Sequence, residues 1–321
     1  MLAGKTILLT GGTGSFGKAF SARIQRDYPT ATVRIFSRDE LKQSEMQPGL
    51  DSGQFRFFLG DVRDKDRLHR AVHGADVIIH AAALKQVPAA EYNPFEAVQT
   101  NILGAQNIVD AAIDSSVETV IALSTDKAVN PVNLYGATKL CQEKIVVQGN
   151  AYASHSGTKL AVVRYGNVVG SRGSVVPVFR EQAKTGVITI TDERMTRFWI
   201  TLEQAVDLVI HALDTSIGGE IFIPKIPSMH ITDLASAMAP ECEQKIIGIR
   251  PGEKLHELML TADESRHTVD SGQHYIIYPE HPWWTASNAW SNHAPVDPEF
   301  VYSSGTNDWW LTADELHEML P

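Results

Sequence analysis

The stretch TILLTGGTGSFGKAF, residues 6–20, decides the fold class of this chain. It joins an apolar run to an amphipathic segment through a turn that contains Gly11, Gly14 and Gly17. Glycine permits a tight strand-to-helix turn and lets the backbone approach a pyrophosphate, which the N-terminus of the helix attracts. The spacing is G-x-x-G-x-x-G rather than G-x-G-x-x-G, so the prediction of a dinucleotide site depends on the position of the turn after the first predicted strand.

Short apolar runs alternate with amphipathic segments through the first half of the chain. The runs are rich in Val and Ile, which is typical of strands covered on both faces. We therefore predict an α/β fold built on a doubly wound parallel sheet of the Rossmann type, with a smaller C-terminal substrate lobe. The predicted strands are residues 6–10, 32–37, 55–60, 76–83, 119–125, 160–169 and 220–224, and the predicted helices include 94–113, 201–214, 231–239 and 253–260.

The same alternation predicts a division of the chain into two parts. Residues 1–170 are predicted to form the NADP-binding Rossmann domain, to which residues 198–224 return. Residues 171–197 and 225–321 are predicted to form the substrate lobe and a tail. The last sixty residues show little periodicity, and we expect them to form a tail that packs on its own body or on a neighbouring subunit. The role of residues 286–321 stays open.

The composition excludes several functional classes. With 321 residues, of which 43% are hydrophobic, the chain can bury a large core. A net charge of −10 argues against nucleic acid and against an anionic membrane as partners, and no apolar run approaches the ~20 residues that span a bilayer. The two cysteines, Cys141 and Cys242, lack redox or metal spacing, and no histidine pattern predicts a metal site. We expect a cytoplasmic protein with reduced thiols and no signal peptide.

The end of the second predicted strand indicates which dinucleotide binds. An NAD site usually carries Asp or Glu there for the ribose 2′-hydroxyl, whereas this chain reads Ser37-Arg38-Asp39, with Lys42 one turn later. The planar guanidinium of Arg38 suits a 2′-phosphate because it binds two oxygens at once. The pattern favours NADP over NAD; the alternative is a solvated arginine beside a surface acid.

Two ionisable pairs lie in the stretch LSTDKAVNPVNLYGATK. Tyr135 and Lys139 are four residues apart, so on a helix they share a face, where a tyrosinate could take a hydroxyl proton during an oxidation. The lysine charge would lower the pKa of that tyrosine from its ordinary value near ~10. The second pair, Asp126–Lys127, is not needed for a simple alcohol oxidation.

Several longer motifs occur in order along the chain: TGGTGSFG, SRDELKQSEM, GDVRD, AAALKQVP, STDKAVNPVNLYGATK, VVRYGNVVGSRGSVVP, MTRFWIT and IRPGEKLHE. With these motifs the chain resembles the extended short-chain dehydrogenase/reductase superfamily. Within it, the chain is most similar to the inverting UDP-N-acetylglucosamine 4,6-dehydratases of pseudaminic acid biosynthesis. The resemblance extends from about residue 4 to about residue 285.

The resemblance implies a purpose for the second pair. Tyr135 and the cofactor would oxidise C4 of the sugar, and the resulting ketone would make the C5 proton acidic. Lys127 is implied as the base at C5 and Asp126 as the acid that releases the C6 hydroxyl, before reduction at C6 and reprotonation of C5 from the opposite face. Lys127 must be neutral to act, so burial and the Lys139 charge must outweigh the Asp126 carboxylate, or Asp126 must itself be protonated.

The expected site residues fall into three groups. The catalytic group also includes Thr125, which either hydrogen-bonds the reacting oxygen or caps a turn; its members are Thr125, Asp126, Lys127, Tyr135 and Lys139. The residues expected around NADP are Gly11, Gly14, Ser15, Phe16, Gly17, Ser37, Arg38, Lys42, Asp61, Val62, Ala81, Ala82, Lys85, Tyr135 and Lys139. The residues expected around UDP-N-acetylglucosamine are Lys85, Asn167, Arg172, Arg197, Arg250 and Glu253.

The roles within the substrate group follow from charge and from the resemblance. The resemblance implies that Arg250 and Glu253 lie at the nucleotide end and Asn167 near the diphosphate. Arginine binds phosphate by a two-point contact, although a surface salt bridge explains each basic residue almost as well. Two polar residues have simpler explanations: His80 as a core histidine, and Asn101 as a helix–loop hydrogen bond if it does not shape the nicotinamide site.

Two other functions remain open at this point. A UDP-sugar 4-epimerase would share Tyr135 and Lys139 but would not need an acid/base pair for C5 and C6. A non-catalytic NADP-binding regulator could keep the fold without turnover. Members of the superfamily commonly pair through helices beside the active site, so a homo-oligomer, dimer or higher, is expected by analogy.

Overall fold

The computed structural model describes residues 2–171, 173–281, 284 and 289–320. Each apolar run of the first half that the sequence analysis predicts to be a strand contains one. The strands in the described residues are β1 (Thr6–Thr10), β2 (Thr32–Ser37), β3 (Phe55–Leu59), β4 (Val77–His80), β5 (Thr119–Thr125), β6 (Lys159–Tyr165), β7 (Asn167–Val168), β8 (Val187–Ile190), β9 (Thr196–Ile200), β10 (Ile221–Pro224), β11 (Ser228–His230), β12 (Glu243–Ile246), β13 (Leu258–Leu260), β14 (Thr268–Asp270), β15 (His274–Ile277), β16 (Ala294–Pro295) and β17 (Tyr302–Ser303).

Helices connect most of these strands. Among the described helices, none has the length and hydropathy that crossing a lipid bilayer requires. The α-helices are α1 (Ser15–Asp27), α2 (Glu40–Met46), α3 (Lys65–Val72), α4 (Val87–Tyr92), α5 (Pro94–Ala97), α6 (Gly104–Asp114), α7 (Leu134–Gly149), α8 (Val175–Ala183), α9 (Leu202–Thr215), α10 (Ile231–Met238), α11 (Ala262–Ser265) and α12 (Ala313–Met319). A π-helical segment, Val98–Leu103, joins α5 to α6.

The main sheet has ten strands in the order β16-β14-β15-β10-β6-β5-β4-β1-β2-β3. The run from β10 to β3 is parallel throughout, and β14, β15 and β16 add an antiparallel edge. From β1 the chain first proceeds outward to β3 and then returns to β4 on the other side. This doubly wound order confirms the predicted fold class, and the reversal between β1 and β4 creates a crevice at the carboxyl ends of the strands.

A second, smaller core lies beside the main sheet. It is formed by apolar side chains that include Val176, Phe179, Trp199 and Leu234, and it also buries Leu316 from α12. Three short sheets belong to this region of the chain or flank it, namely β11-β9-β7, β12-β8 and β13-β17. The end of the chain therefore packs on its own body.

The position of residues 268–295 bears on the proposed domain boundaries. Strands β14, β15 and β16 extend the main sheet, although the sequence assigns their residues to the lobe. We retain the division into residues 1–170 with 198–224, and 171–197 with 225–321, as a proposal. Within it, these three strands lie on the side of the nucleotide-binding domain.

The prediction of a helix at residues 253–260 is wrong. This segment contains turns followed by β13, which pairs antiparallel with β17. The guanidinium of Arg197 donates hydrogen bonds to the carbonyl oxygens of Lys254 and Leu255, each at 3.0 Å. The backbone N–H of Thr196 donates to Leu255 as well, at 3.0 Å. These carbonyls are taken up by β9, so they do not form the hydrogen bonds of a helix.

Arg164 on β6 links the main sheet to two other elements. Its fully buried guanidinium lies between Glu143 of α7, with a shortest contact of 2.6 Å, and Glu264 of α11, at 2.9 Å. It also donates to the carbonyl oxygen of Met259 at 2.8 Å. Glu143 in turn accepts from the hydroxyl of Ser124 at 2.5 Å, so the network reaches the end of β5.

Candidate active site

A cleft of about 1400 Å³ follows the carboxyl ends of the parallel strands and continues to the second core. Its volume exceeds the ~300–1,000 Å³ of a typical single-ligand pocket, so it can hold two ligands end to end. Nearly all the residues proposed from the sequence line it: Gly11, Gly14, Ser15, Phe16, Gly17, Ser37, Arg38, Lys42, Asp61, Val62, Ala81, Ala82, Lys85, Thr125, Lys127, Tyr135, Lys139, Asn167, Arg197, Arg250 and Glu253. Asp126 is fully buried and does not lie on the wall, and Arg172 lies outside the described residues.

The glycine turn leaves room for a ligand at the start of α1. Gly11 has φ +66, and a Cβ there would lie 2.8 Å from the backbone of Ala81. At Gly17 a Cβ would overlap the carbonyl group of Gly12, so helix and strand can approach only with glycine. The N-cap of α1 is Gly14, which has no side chain to cap the first N–H groups of the helix. These features fit the pyrophosphate of a dinucleotide.

The end of β2 presents cations to the same cleft. Arg38 is half exposed, and its Nη1 lies 3.5 Å from Oδ2 of Asp61. Asp39 caps α2 by accepting from the backbone N–H of Lys42 at 3.0 Å, and the Lys42 ammonium contacts the same carboxylate at 2.5 Å. Asp39 thus binds the first turn of α2, whereas half of the Arg38 side chain is exposed to solvent.

Tyr135 and Lys139 are positioned by α7, which Asn133 caps through a 2.8 Å bond from the N–H of Gly136. Burial lowers the pKa of Lys139 to about 7, with a smaller opposing effect from the carboxylate of Glu143. Burial also raises the pKa of Tyr135 to about 12. Without ligands, the tyrosine is therefore a neutral phenol at physiological pH.

A residue that sequence reasoning missed holds the Lys139 amine. Gln142, fully buried one turn further along α7, accepts from Lys139 Nζ at 2.6 Å. The carbonyl oxygen of Leu123 accepts from the same amine at 2.6 Å and from Gln142 Nε2 at 3.0 Å. A polar residue three positions after a helical lysine was the available signal.

The Asp126–Lys127 pair lies at the end of β5. Lys127 Nζ lies 3.0 Å from Asp126 Oδ1 and 3.2 Å from Asn167 Oδ1. Burial raises the pKa of Asp126, although the lysine charge opposes this effect. Burial lowers the pKa of Lys127, but the carboxylates of Asp126 and Glu257 more than compensate, and the pKa lies above the ordinary lysine value. Without ligands, the amine is thus an ammonium.

Thr125 connects this pair to the cleft. Its hydroxyl donates to Asp126 Oδ1 at 2.9 Å and accepts from the backbone N–H of Lys127 at 3.3 Å. A side-chain hydrogen bond between Thr125 and Tyr135 also acts to lower the pKa of Tyr135. The two ionisable pairs of the sequence are therefore brought together at one position on the cleft wall.

Glu257 is the second residue that sequence reasoning missed. Its side chain is nearly fully buried and lines the cleft. Its Oε1 lies 3.6 Å from Lys127 Nζ, and its Oε2 lies 3.6 Å from Lys254 Nζ. Burial raises its pKa, but the charges of Lys127, Arg197 and Lys254 lower it below the ordinary range of glutamate. The carboxyl is thus ionised.

The residues proposed for the substrate differ in how free they are. Arg250 is largely exposed, and its Nη1 lies 3.9 Å from Oε1 of Glu253. Arg197 is buried, and its donors are directed to backbone carbonyls of residues 196, 254 and 255. Asn167 contacts the Lys127 amine. The geometry therefore favours Arg250 over Arg197 for a phosphate contact.

His80 and Asn101 have the structural contacts expected of a core histidine and of a helix–loop hydrogen bond. His80 Nδ1 lies 2.8 Å from the hydroxyl of Thr10, and burial lowers its pKa to about 3. Asn101 exchanges hydrogen bonds with the backbone of Leu84 at 2.8 and 2.9 Å and donates to Thr138 at 2.9 Å. Both side chains hold the walls of the cleft in place.

Comparisons with known proteins extend over most of the chain. Residues 7–279 match the family described as polysaccharide biosynthesis protein. A relative from Campylobacter jejuni serotype O:2, UDP-N-acetylglucosamine 4,6-dehydratase (inverting), is 51% identical over 324 residues, covering 98% of this chain and 97% of the relative. A UDP-glucose 4-epimerase from Rickettsia felis is 44% identical over 285 residues, covering 86% and 84%. The X-ray structure of Pen from Bacillus thuringiensis is 37% identical, with a TM-score of 0.90, covering 99% and 97% of the two chains.

Proposed function

The chain belongs to the polysaccharide biosynthesis protein family, and from this premise we propose that it is a C5-inverting UDP-N-acetylglucosamine 4,6-dehydratase that uses NADP. The relative from Campylobacter jejuni carries this activity in its name and matches nearly the full length of the chain. The proposed product is a UDP-4-keto-6-deoxy-L-arabino-hexosamine, an intermediate on the way to pseudaminic acid. The proposed setting is the cytoplasm, with the enzyme as a homo-oligomer.

The observation that carries the proposal is the position of the Lys127 amine. It lies on the wall of the cleft that Tyr135 also lines, in contact with the buried carboxyl of Asp126. An oxidation at C4 alone needs only Tyr135 and Lys139. A second proton-handling pair in the same cleft supports chemistry at the neighbouring carbons.

When bound, the nicotinamide supplies the oxidation at C4 and the later reduction at C6. The protein supplies the proton transfers. Tyr135, a neutral phenol in the ligand-free site, must first lose its own proton and then accepts the proton of the C4 hydroxyl. Lys127 accepts the acidified proton of C5. Asp126 provides the proton with which the C6 hydroxyl leaves as water; since it lies behind the wall, that proton reaches the cleft through Lys127 or through the hydroxyl of Thr125.

The protonation states of the ligand-free site set a condition for this chemistry. Lys127 must lose a proton and Asp126 must hold one, and transfer of a single proton from the amine to the carboxyl meets both needs. Burial of Asp126 favours that transfer because it raises the pKa of the carboxyl. Substrate that excludes water from the cleft would favour it further, since the neutral pair is less costly to desolvate.

NADP is supported by the end of β2. The half-exposed Arg38 lies 3.5 Å from Asp61, the residue proposed beside the adenosine. Its guanidinium fits a 2′-phosphate, and the ammonium of Lys42 lines the same part of the cleft. UDP is proposed to lie at the other end, where Arg250 and Glu253 line the cleft.

Incubation of the protein with UDP-N-acetylglucosamine in heavy water tests the proposal, with mass spectrometry and NMR of the product. Loss of one water and deuterium at C5 with inverted configuration are expected. A sugar of unchanged mass with altered C4 configuration would instead identify a 4-epimerase, which the relative from Rickettsia felis keeps as the second candidate. Cofactor binding with no turnover of any nucleotide sugar would indicate a regulator.

A further inference from the structure

Glu257 is a buried carboxylate in the cleft that the proposed chemistry does not use. It is 3% exposed, and its Oε2 accepts no hydrogen bond among the described residues. A buried acceptor without a hydrogen bond is costly and is seldom retained without a function. Glu257 belongs to the segment that follows Gly252, and its Oε1 lies 3.6 Å from the Lys127 amine.

The surrounding contacts hold this carboxylate in one place. Arg197 donates to the carbonyl oxygens of Lys254 and Leu255 and so fixes the backbone just before Glu257. The backbone N–H of Glu257 donates to the hydroxyl of Ser304 at 2.9 Å. These hydrogen bonds hold the backbone before and at Glu257. The carboxylate is therefore positioned near Lys127 by the protein itself and not by a ligand.

We infer that Glu257 is a positioning residue which holds the Lys127 amine at the cleft wall and controls when that amine releases its proton; this inference rests on the proposed function. The amine has three N–H donors when protonated. Asp126 and Asn167 accept at 3.0 and 3.2 Å, and the carboxylate of Glu257 is a third acceptor group, 3.6 Å from the amine. In the resting site Glu257 thus favours the ammonium form.

Several charged groups besides Glu257 act on the Lys127 amine. The carboxylates of Asp126 and Glu257 favour its proton, and Arg197 opposes it. The amine itself acts on Tyr135 and on Lys85, whose pKa is lowered by burial and by the charge of Lys127. Lys254 acts indirectly, because its charge, 3.6 Å from Glu257, reduces the pull of that carboxylate on the lysine.

This arrangement predicts opposite effects for two substitutions. Glu257→Gln removes a negative charge beside Lys127, so the pKa of the amine should fall. Lys254→Met leaves the Glu257 charge less compensated, so the pKa of Lys127 should rise. Structural damage common to both variants would shift the amine in one direction, so opposite shifts favour control of the proton over a merely structural role. Glu257→Asp, which keeps the charge, separates an effect of charge from an effect of packing.

The experiment is trace labelling of Lys127 with acetic anhydride at fixed pH, read by mass spectrometry of the peptide that contains it. Glu257→Gln is expected to label at least about tenfold faster than wild type, since one pKa unit changes the neutral fraction tenfold. Lys254→Met should label more slowly, and Glu257→Asp, which keeps the charge, should stay near wild type. Glu264→Gln is the control: this partly buried carboxyl pairs with Arg164, and its loss should not change the labelling of Lys127.

Two outcomes would overturn the inference: wild-type labelling in Glu257→Gln, or shifts in the same direction for Glu257→Gln and Lys254→Met. Lys254→Met keeps the test decisive if Glu257→Gln does not fold. In the dehydration assay, the pH profile of Glu257→Gln should move about one unit toward acid. Labelling needs no sugar, so failure of the wild type to release water would contradict the proposed function without affecting this result.

Discussion

Lys127 and Asp126 are joined by a 3.0 Å contact between Nζ and Oδ1, yet only the lysine reaches the cleft. The lysine is one-quarter exposed and the aspartate is completely buried. In the proposed mechanism the residue that reaches the cleft is the base, and burial of the proposed acid favours its protonated form. Their contact lets one proton serve both residues in turn.

Lys127→Ala should abolish release of water from UDP-N-acetylglucosamine and leave NADP binding nearly intact. Loss of a general base costs about 10²–10⁴-fold in rate, and the glycine turn and Arg38, which are the proposed cofactor contacts, are untouched. The measurement is product formation by mass spectrometry beside cofactor titration by fluorescence. Lys184→Ala, at an exposed lysine paired with Glu181, is the control. Normal product formation by Lys127→Ala would remove this residue from the mechanism.

Arg38→Ala should weaken NADP binding much more than NAD binding. A hydrogen bond to a charged group contributes about 1.5–3 kcal/mol, so at least a ~10-fold loss is expected for NADP alone. Isothermal titration with both dinucleotides measures the difference. Arg266→Ala serves as a control because this exposed arginine pairs with Asp263 away from the cleft. Equal losses for both dinucleotides would mean that Arg38 does not contact the 2′-phosphate.

The sequence predicted the sheet well because its strands are covered on both faces. Such strands are rich in consecutive Val and Ile. The predicted strand at residues 119–125 has the same first and last residues as β5. The glycine turn was readable for a related reason, since Gly11 and Gly17 occupy positions where a Cβ would collide with backbone. Local composition reports both features directly.

Contacts between distant segments were not readable in this way. The expectation that Asn167 lies near the diphosphate remains a prediction, but the sequence did not indicate its contact with the Lys127 amine. Asn167 is in β7, which pairs with the distant strand β9. The apolar positions of residues 253–260 fit a helical period, and only the guanidinium of Arg197 shows why no helix forms there. Glu257 was not predicted because its contact with Lys127 also joins two distant segments of the chain.

Lys139→Met should change stability in a pH-dependent manner. In the folded protein burial lowers the pKa of Lys139 to about 7, whereas an unfolded lysine titrates near ~10.4. Between these values the unfolded chain binds the extra proton, so the free energy of unfolding rises with pH, and the full destabilisation is present below about 7. Removing the amine should therefore benefit the protein most at acidic pH and progressively less toward ~10.

Denaturant unfolding of Lys139→Met and wild type at several pH values between these limits measures this effect. The quantity of interest is the difference between the two free energies of unfolding, because titrations common to both proteins cancel. Lys184→Met, at an exposed lysine, should show a small difference that does not vary with pH. A constant difference for Lys139→Met as well would contradict a lysine that is neutral in the folded protein above its lowered pKa.

Arg164→Met should destabilise the fold severely, because it leaves the buried Glu143 and the partly buried Glu264 without their shared cation. Breaking a buried ion pair by removing one partner costs about 3–5 kcal/mol. The loss should grow as pH rises, since the pKa of Glu264 is lowered only while Arg164 outweighs its burial. Denaturant unfolding measures it, with Arg266→Met, at an exposed pair, as the control within ~0.5 kcal/mol. A loss of similar size in both variants would mean that this network does not hold β6, α7 and α11 together.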